Sequence, residues 1–355
     1  DFVMAKQVDL VVVGPEVPLA LGIKDYFLQH QELRNVLLVA PDKRAAQLES
    51  SKDFAKRFMM KYQIPTAGYA TFDQSQIDEG LEYLKSHQTP IVLKADGLAA
   101  GKGVVICNTN NEAETVFKDM LVDSKFGQAG AKVVVEEFMT GVEISVFILT
   151  DGKSYKILPS AKDYKRIGEQ DTGPNTGGMG AVSPVPFADE SFMEKVKQQI
   201  IEPTIRGIQT EALDYCGFVF LGLNNVAGEP KVIENNARMG DPETQVVLPR
   251  IDSDLVDLLV ACATGQLDQV ELEIATQCAC TVVMVAGGYP GKYQKGMVIN
   301  GLENADESLV FHAGTSKTDE NTVTNGGRVL AITGFGDTID QALKASYGTC
   351  LLYTS

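Results

Sequence analysis

A glycine-rich stretch between two apolar runs, 90–106 (PIVLKADGLAAGKGVVI), contains residue types that bind phosphate. The first run ends in Lys94, which predicts a strand that delivers one ammonium group to the mouth of a loop. The loop then contributes Gly97, Gly101, Lys102 and Gly103. Glycines let the backbone come close to a ligand, and N–H groups with a fixed lysine can hold the oxygens of a triphosphate. The alternative is an ordinary hairpin with a long loop, because neither a Walker sequence nor a strand–GxGxxG–helix pattern is present.

A second group of chemically capable residues follows a predicted strand, where Glu234 and Asn236 flank Asn235 and point to one side of the sheet. A carboxylate and an amide carbonyl are oxygen ligands for a hard cation, and nucleotide-bound Mg²⁺ (or Mn²⁺) completes its shell with phosphate oxygens and water. Arg238 follows on the same face, from which it can reach a phosphate or a developing oxyanion. The alternative is a polar strand end in solvent.

A strand-to-loop junction at Glu136, Glu137, Phe138 and Met139 offers groups for a nucleobase. A backbone hinge of this kind can bind the adenine edge while the apolar pair covers its face, and Glu143 can accept from ribose hydroxyls. A solvated strand end would explain the same residues.

The segment 162–186 has five glycines, three prolines and no periodicity, which predicts a long functional loop. Its N–H groups and the side chains of Asp171, Asn175 and Thr176 could enclose a small polar substrate. A cation cluster at the start of this segment suits an anionic substrate. The cluster consists of Lys162, Lys165 and Arg166.

The composition is ordinary for a soluble globular protein: 355 residues, 44% hydrophobic and 22% charged, which predicts two or three domains. A formal net charge of −16 argues against nucleic acid as a partner, and no apolar run reaches the length of about 18 residues that a membrane span needs. Six cysteines without CxxC pairing predict reduced thiols in the cytoplasm. Three scattered histidines make histidine-dependent catalysis unexpected.

The predicted elements begin with a strand at 8–13, a helix over 18–29 and a strand at 35–40, which form part of a doubly wound α/β unit. The middle of the chain has further predicted helices at 51–62, 77–84, 111–121 and 191–213, and strands at 132–138, 144–149, 155–158, 217–226 and 231–234. A helix capped by Ser253 precedes short strands, which predict a separate small domain. Those strands are 280–286, 298–299, 309–312 and 328–333.

Taken together, the chain resembles the phosphoribosylamine–glycine ligases, a family of the ATP-grasp superfamily. The segments that carry this resemblance are GPEVPL (14–19), QLESSKDFAK (47–56), KADGLAAGKGV (94–104), KDYKRIGEQDTGPNTGGMGAVSP (162–184), RMGDPETQ (238–245), AGGYPG (286–291), FHAGT (311–315) and NGGRV (325–329). RMGDPETQ together with DTGPNTGGMG is specific within the superfamily, whereas many ATP-grasp enzymes share the lysine–glycine flap.

The resemblance implies a fold of mixed class, α/β and α+β. Residues 1–48 would form a partial doubly wound substrate domain, 49–262 an ATP-grasp domain of two α+β lobes with a mobile lid lobe at 67–135, and 263–355 a small, incomplete β-rich domain. The implied reaction joins glycine to 5-phosphoribosylamine with ATP, through glycyl phosphate. The implied protein is a monomer.

The resemblance also implies roles for individual residues. Lys52 and Lys94 would hold the α- and β-phosphates, and Gly97, Gly101, Lys102, Gly103, Glu136, Glu137, Phe138, Met139 and Glu143 would complete the ATP site. The substrate site would consist of Gly14, Pro15, Glu16, Lys165, Arg166, Asp171, Asn175, Thr176, Gly177, Gly178, Arg238 and Asp241. Arg238, Lys94 and Asp171 would be catalytic, and Glu234 and Asn236 would hold the metal.

Three departures from the family pattern are visible. The family's first strand and phosphate-binding glycine loop are missing, so about sixty residues are expected to precede this chain, and the last residues do not match the family either. Asn235 replaces an apolar residue between the two metal ligands. Two other functions stay open: an ATP-grasp ligase that activates bicarbonate, and a nucleotide-binding regulatory module without turnover.

Overall fold

The computed structural model describes residues 1–98, 103–121, 131–170, 172–302 and 308–350. Three of the predicted site residues, Gly101, Lys102 and Asp171, therefore lie outside the described residues, as does the chain after residue 350.

The helices of the described residues are α1 (Phe2–Ala5), α2 (Glu16–Leu21), α3 (Ile23–Gln29), α4 (Gln47–Ser50), α5 (Lys52–Lys61), α6 (Ile77–Ser86), α7 (Asn110–Leu121), α8 (Glu190–Val196), α9 (Glu202–Thr210), α10 (Thr244–Val247), α11 (Leu255–Ala263) and α12 (Ile339–Cys350). The strands are β1 (Leu10–Val12), β2 (Leu37–Val39), β3 (Tyr69–Asp73), β4 (Ile91–Ala95), β5 (Val104–Cys107), β6 (Lys132–Glu137), β7 (Val142–Thr150), β8 (Tyr155–Ile157), β9 (Lys162–Gly168), β10 (Thr172–Ser183), β11 (Gly217–Val226), β12 (Glu229–Asn236), β13 (Cys278–Val285), β14 (Ser308–His312), β15 (Thr315–Lys317), β16 (Thr322–Thr324) and β17 (Arg328–Gly336).

The N-terminal part is an α/β unit in which β1 and β2 pair in parallel. The single helix predicted over 18–29 is wrong, because the chain forms α2 and α3 with a break at Gly22. Gly22 has a φ of 87°, a left-handed conformation that ends one helix and lets the next begin.

A four-stranded antiparallel sheet in the order β3-β6-β4-β5 forms a lobe with α6 and α7. The lobe has its own core, which includes Phe72, Leu84, Leu93, Phe117 and Val133. As predicted, β4 and β5 flank the glycine-rich loop and pair with each other. The lobe therefore places Lys94 near the end of β4, facing the rest of the chain.

The central sheet, in the order β12-β11-β7-β8, has a hydrophobic core on each face. Ile148 of β7 packs into the core that contains α5 and α9, whereas Phe147 packs with residues of α10 and α11 on the opposite face. This alternation follows from the two-residue period of a strand. Strand β12 continues to Asn236, so that Glu234 and Asn236 lie in its last residues.

The predicted long loop at 162–186 is wrong. β9 and β10 pair in antiparallel fashion, and this β9–β10 hairpin belongs to a five-stranded sheet in the order β14-β17-β13-β10-β9. Strand β10 has no clear hydrophobic alternation because it is rich in glycine, yet backbone hydrogen bonds hold it on both sides. At Gly180 a Cβ would lie 2.6 Å from the carbonyl oxygen of Thr281, so close strand packing requires glycine there.

The C-terminal strands join the same sheet, since β13 pairs with β10 on one side and with β17 on the other. The sheet thus crosses the domain boundary predicted between residues 262 and 263, and that boundary stays a prediction. The predicted strand at 298–299 is a single bridge between Val298 and Val323. The cap of α11 is Asp254 rather than Ser253, because the Asp254 carboxylate accepts from two N–H groups of the first turn. Among the helices of the described ranges, none has the length and apolar character of a membrane span.

Candidate active site

A cleft of about 190 Å³ lies where α4 and α5, the β4–β6 lobe and the end of β12 meet. Its polar lining combines groups from five distant parts of the sequence: Glu16, Glu49, Lys52, Lys56, Lys94, Glu136, Glu234, Asn235, Asn236 and Arg238. Gly103, at the far end of the glycine-rich loop, also lines it. The structure therefore brings together predicted phosphate-binding, metal-binding and substrate-binding residues.

The Lys94 side chain spans the cleft from the lobe to the central sheet. Its Nζ lies 2.9 Å from Glu136 Oε2 and donates to the carbonyl oxygen of Ile233 at 3.1 Å. The register explains the pairing: Lys94 lies opposite Val134 on the neighbouring strand, and Glu136 is two residues further along on the same face. Both side chains are buried, so this ion pair forms inside the protein.

Lys56 of α5 shares the same carboxylate, with Nζ 3.2 Å from Glu136 Oε2 and 2.8 Å from Thr66 Oγ1. Burial lowers the pKa of Lys56 to about 8, although the negative charge of Glu136 opposes the shift. The other oxygen, Glu136 Oε1, is buried without a hydrogen-bond partner among the described residues. Two lysines thus compete for one carboxylate oxygen, an arrangement that an anionic ligand would relieve.

Lys52, at the start of α5, donates from Nζ to the carbonyl oxygen of Gly97 at 3.1 Å and so touches the glycine-rich loop. Burial lowers the pKa of Lys52, an effect that the carboxylate of Glu234 counters. A partly desolvated cation beside the loop is suited to bind a phosphate group.

At the end of β12, Glu234 exposes its carboxylate, and Asn236, two residues on, lies on the same side. These oxygen donors fit a hard divalent cation. No cluster of three or more His, Cys, Asp or Glu side chains that could hold a metal occurs in the described ranges. A cation here would therefore depend on oxygens from a bound nucleotide. Asn235 is buried, and its Oδ1 has no hydrogen-bond partner among the described residues.

Arg238 lies close to two carboxylates that come from different parts of the chain. Its Nη2 lies 3.0 Å from Glu49 Oε1, and its Nε lies 3.5 Å from Glu16 Oε2 without forming a hydrogen bond. Burial raises the pKa of Glu49, and the charge of Arg238 works against that rise. Glu16 thus joins the cleft as predicted, whereas Gly14 and Pro15 are exposed beside it.

A second, smaller cavity behind the end of β12 is lined by Glu143, Asp163, Lys165 and Glu234. Lys165 Nζ lies 2.7 Å from Glu143 Oε2. Burial alone would lower the pKa of Lys165, but the surrounding carboxylates raise it overall, so this lysine stays charged. Burial raises the pKa of Asp163. One lysine thus lies among three carboxylates in this cavity. One of these carboxylates, Glu234, is a predicted metal ligand.

The predicted cation cluster is divided, because alternate residues of β9 point to opposite faces. Lys162 Nζ lies 5.0 Å above the ring centroid of Tyr164, and Arg166 donates to the carbonyl oxygen of Gly173 at 3.2 Å. Lys165 alone of the three predicted cations lines the second cavity.

The glycine-rich end of the hairpin is ordered by polar contacts. Thr176 Oγ1 donates to the carbonyl oxygen of Lys165 at 2.7 Å and accepts from the N–H of Gly178 at 3.0 Å. Asn175 lies opposite Arg166 across the hairpin. Gly178 packs against Pro242, next to Asp241, so that the hairpin and the turn after β12 touch.

Three models of the phosphoribosylglycinamide synthetase family match most of the chain: the N domain at 1–49, the ATP-grasp (A) domain at 50–244 and the C domain at 279–352. This chain belongs to the phosphoribosylglycinamide synthetase family. The ATP-grasp fold expected from the sequence is thereby confirmed.

Curated relatives agree with this assignment. The chain is 46% identical over 349 residues to the phosphoribosylamine–glycine ligase of Vibrio cholerae, covering 98% of this chain and 80% of the relative. It is 45% identical over 351 residues to the enzyme of the same name from Escherichia coli K12, with the same coverage of 98% and 80%.

Solved structures extend the comparison. The crystal structure of phosphoribosylamine–glycine ligase from Thermotoga maritima matches with a TM-score of 0.82 at 35% identity, covering 92% of this chain and 81% of that one. The biotin carboxylase domain of Hydrogenobacter thermophilus 2-oxoglutarate carboxylase matches with a TM-score of 0.72 at 14% identity, covering 100% and 76%. At that identity, the second match shows a shared fold only.

Of the four residues at the predicted adenine junction, Glu136 lines the main cleft, whereas Glu137, Phe138 and Met139 do not. The Glu137 carboxylate covers Gly68, where a Cβ would lie 2.9 Å from it, and the Phe138 ring is exposed. The carbonyl oxygen of Met139 accepts from Asn224 Nδ2 at 3.0 Å. The Glu136 side chain instead binds the cleft lysines, so the predicted adenine contacts stay predictions.

Sequence reasoning missed two charged residues of the cleft, Glu49 and Lys56. Both lie in the segment QLESSKDFAK, which carried part of the resemblance. Lys56 is four residues after Lys52 on the same helix, a spacing that places the two side chains on one face. That periodicity would have identified Lys56 as a companion of Lys52.

Proposed function

We propose that this chain joins glycine to 5-phosphoribosylamine with ATP, giving glycinamide ribonucleotide, ADP and phosphate in purine biosynthesis. The observation that carries the proposal is the convergence of Lys94, Glu234 and Arg238 on one cleft in a member of this family. Relatives at 46% identity over almost the whole chain are named for that reaction.

ATP would bind with its phosphates between the lobe and β12. The half-buried Lys52 and the buried Lys94 would take the α- and β-phosphates. Lys56 would keep the charge of Glu136 neutralised when Lys94 turns to its ligand. Phosphate oxygens would thus replace one of two cations competing for a single carboxylate. We propose that the β4–β5 flap closes over the nucleotide, that Glu137, Phe138 and Met139 contact the adenine, and that Glu143 contacts the ribose.

Mg²⁺ or Mn²⁺ would be held by Glu234 and Asn236, whose oxygen atoms suit a hard cation. When bound, it would neutralise charge on the nucleotide phosphates.

The chemistry requires activation, because a carboxylate repels nucleophiles and has no acceptable leaving group. The glycine carboxylate would attack the γ-phosphate to give glycyl phosphate and ADP, and the ribosylamine nitrogen would then displace phosphate. Arg238 would stabilise the charge that develops on the phosphoryl group and on the later oxyanion. This demands positioning and charge neutralisation rather than acid–base groups.

The β9–β10 hairpin would hold glycine and exclude water from the acyl phosphate, with Asp171, Asn175 and Thr176 as its polar groups. Lys165, Arg166 and Asp241 would complete the substrate site. Phosphoribosylamine would contact the segment from Gly14 to Glu16. We further propose that the protein acts as a monomer, which sedimentation can check. We also propose a cytoplasmic location, which fits its six cysteines without disulfides.

The decisive experiment measures ADP release from Mg-ATP with glycine, with phosphoribosylamine, with both, or with bicarbonate alone. Turnover that requires both glycine and phosphoribosylamine is expected. Turnover with bicarbonate alone would favour a carboxylating relative, and the absence of any substrate-dependent turnover would overturn the proposal.

A further inference from the structure

Arg328, the first residue of β17, connects two segments that are distant in sequence. Its Nη1 donates to the carbonyl oxygens of Gly177 at 2.8 Å and Asp241 at 3.0 Å, and its Nη2 donates to Asp241 Oδ2 at 2.7 Å. One guanidinium therefore joins the β9–β10 hairpin to the turn after β12.

The other backbone group of Gly177 is also held from the C-terminal region. Its N–H donates to the hydroxyl of Tyr289 at 3.2 Å. A Cβ at Gly177 would lie 3.0 Å from Arg328 Cζ, so a larger residue there would push the guanidinium away by a few tenths of an ångström. Both polar backbone groups of Gly177 are thus fixed by side chains that lie beyond residue 278.

These contacts are poorly suited to stabilise the fold alone. The Asp241 side chain is 55% exposed, and exposed ion pairs contribute little to the free energy of folding. The guanidinium instead fixes the relative positions of Gly177 and Asp241, because its planar N–H groups point in set directions. An ammonium group cannot do this.

We propose that Arg328 is a positioning residue for the glycine subsite. By tying Gly177 to Asp241, it holds the hairpin and the turn after β12 in one arrangement, so that the substrate does not have to order them on binding. This inference rests on the proposed function, since that function places glycine at the hairpin.

The first test compares steady-state kinetics of Arg328→Gln, Arg328→Lys and Tyr289→Phe with the unaltered protein. Arg328→Gln is expected to raise the KM for glycine about tenfold or more and to leave the KM for ATP within about twofold. Arg328→Lys is expected to recover only part of the loss, because lysine cannot bond both acceptors in the same plane. Tyr289→Phe is expected to act in the same direction with a smaller rise.

The matched control is Arg44→Gln. Arg44 likewise donates to the carbonyl oxygen and the carboxylate of a single residue, Glu211, at 2.9 and 3.4 Å, and neither residue lines the cleft. No change in either KM is expected for this variant.

The second test measures amide hydrogen exchange without substrates. Peptides covering 172–183 and 238–243 are expected to exchange faster in Arg328→Gln than in Arg44→Gln. An unchanged KM for glycine in Arg328→Gln, or an equal rise in the KM of every substrate, would overturn the inference alone. If the unaltered chain did not use glycine, the proposed function would fall and this inference with it.

Discussion

The cleft and the β9–β10 hairpin are built from different kinds of chemical group. The cleft is built from charged side chains, such as Lys56, Lys94 and Glu136, that are buried together. The hairpin is built from backbone groups and small residues, such as Gly177 and Gly178, that side chains from other elements hold in place. The cleft therefore concentrates charged side chains, whereas the hairpin presents a backbone held in one conformation.

This difference predicts which kinetic or binding parameter a substitution in each region would change. In the cleft, the ammonium groups of Lys56 and Lys94 share one carboxylate oxygen of Glu136, so one positive charge remains to attract an anion. At the hairpin, the polar groups of Gly177 are already satisfied. Substitutions in the cleft should therefore change turnover and nucleotide affinity, whereas substitutions at the hairpin should change the KM for glycine.

The largest effect is expected for Glu234→Ala in the cleft. Removing the carboxylate that would hold the cation should lower ATP turnover about a thousandfold, because charge on the phosphates is no longer neutralised. ADP release with glycine and phosphoribosylamine measures it. The control is Glu229→Ala on the same strand, where the carboxylate is paired with Lys195 and exposed. Mg²⁺-dependent activity equal to that of the unaltered protein would refute the metal assignment.

Glu243 lies where the two regions meet. Its raised pKa predicts that the free energy of unfolding depends on pH. Its Oε1 accepts from Ser145 Oγ of β7 at 3.0 Å, and burial, with a contribution from Asp163 of β9, raises its pKa from 4.5 to about 7. Because the pKa is higher in the folded state, this group stabilises the fold fully below pH 4.5, and the contribution is lost as the pH rises through about 7. At about 1.4 kcal/mol for each pKa unit, the loss is about 3 kcal/mol.

Glu243→Gln should remove most of that loss while keeping an acceptor for Ser145. Urea unfolding at about pH 5 and pH 8 is expected to show a smaller fall in the free energy of unfolding than in the unaltered protein. Asp163, whose own pKa is raised by burial, should retain part of the dependence. The control, Glu229→Gln, changes an exposed carboxylate. A fall as steep as in the unaltered protein would contradict the assignment.

The next largest effect is expected for Lys94→Ala, which removes a buried cation from the cleft. A desolvated charged contact to phosphate contributes about 2 kcal/mol or more, so the Kd for ATP should rise about thirtyfold. Isothermal calorimetry measures the change, with the exposed Lys195→Ala as the control. Unchanged nucleotide affinity would remove Lys94 from the ATP site.

The same contrast between the cleft and the hairpin explains which features could be predicted from the sequence. Lys94 and Glu234 were recognisable because each is a charged side chain at the end of an apolar strand, a pattern that survives without any knowledge of the partner strands. The β9–β10 hairpin was mistaken for a loop because glycines in β10 leave no side-chain alternation to detect. Its pairing depends on β13, which is about a hundred residues away and forms hydrogen bonds that no local pattern encodes.

Long-range pairing also explains the residues that were missed. The role of Arg328 depends on where Gly177 and Asp241 meet, and nothing adjacent to NGGRV in the sequence indicates that meeting. Glu136 lines the cleft, and its ion pairs follow from the register of β4 against β6, which no local pattern indicates. The positions of Lys94 and Glu234 were therefore predictable from local pattern, whereas contacts that depend on the pairing of distant strands were not.

The smallest effect is expected at the hairpin, for Gly178→Ala. Gly178 has a φ of +115°, and a Cβ there would lie 2.4 Å from Cδ of Pro242, whose ring cannot rotate away. The substitution should displace the hairpin from the turn after β12 and raise the KM for glycine about fivefold, with no change in ATP affinity.

Gly228→Ala separates the clash from the backbone strain. Gly228 has a φ of +89° but nothing within 4 Å of the Cβ position, so its substitution carries the strain without the collision. The free energy of unfolding should fall by about 1 kcal/mol more in Gly178→Ala than in this control. A KM for glycine that rises equally in both variants would mean that general destabilisation, rather than the position of the hairpin, governs glycine binding. The contrast between a cleft built on charge and a hairpin built on shape would then fail.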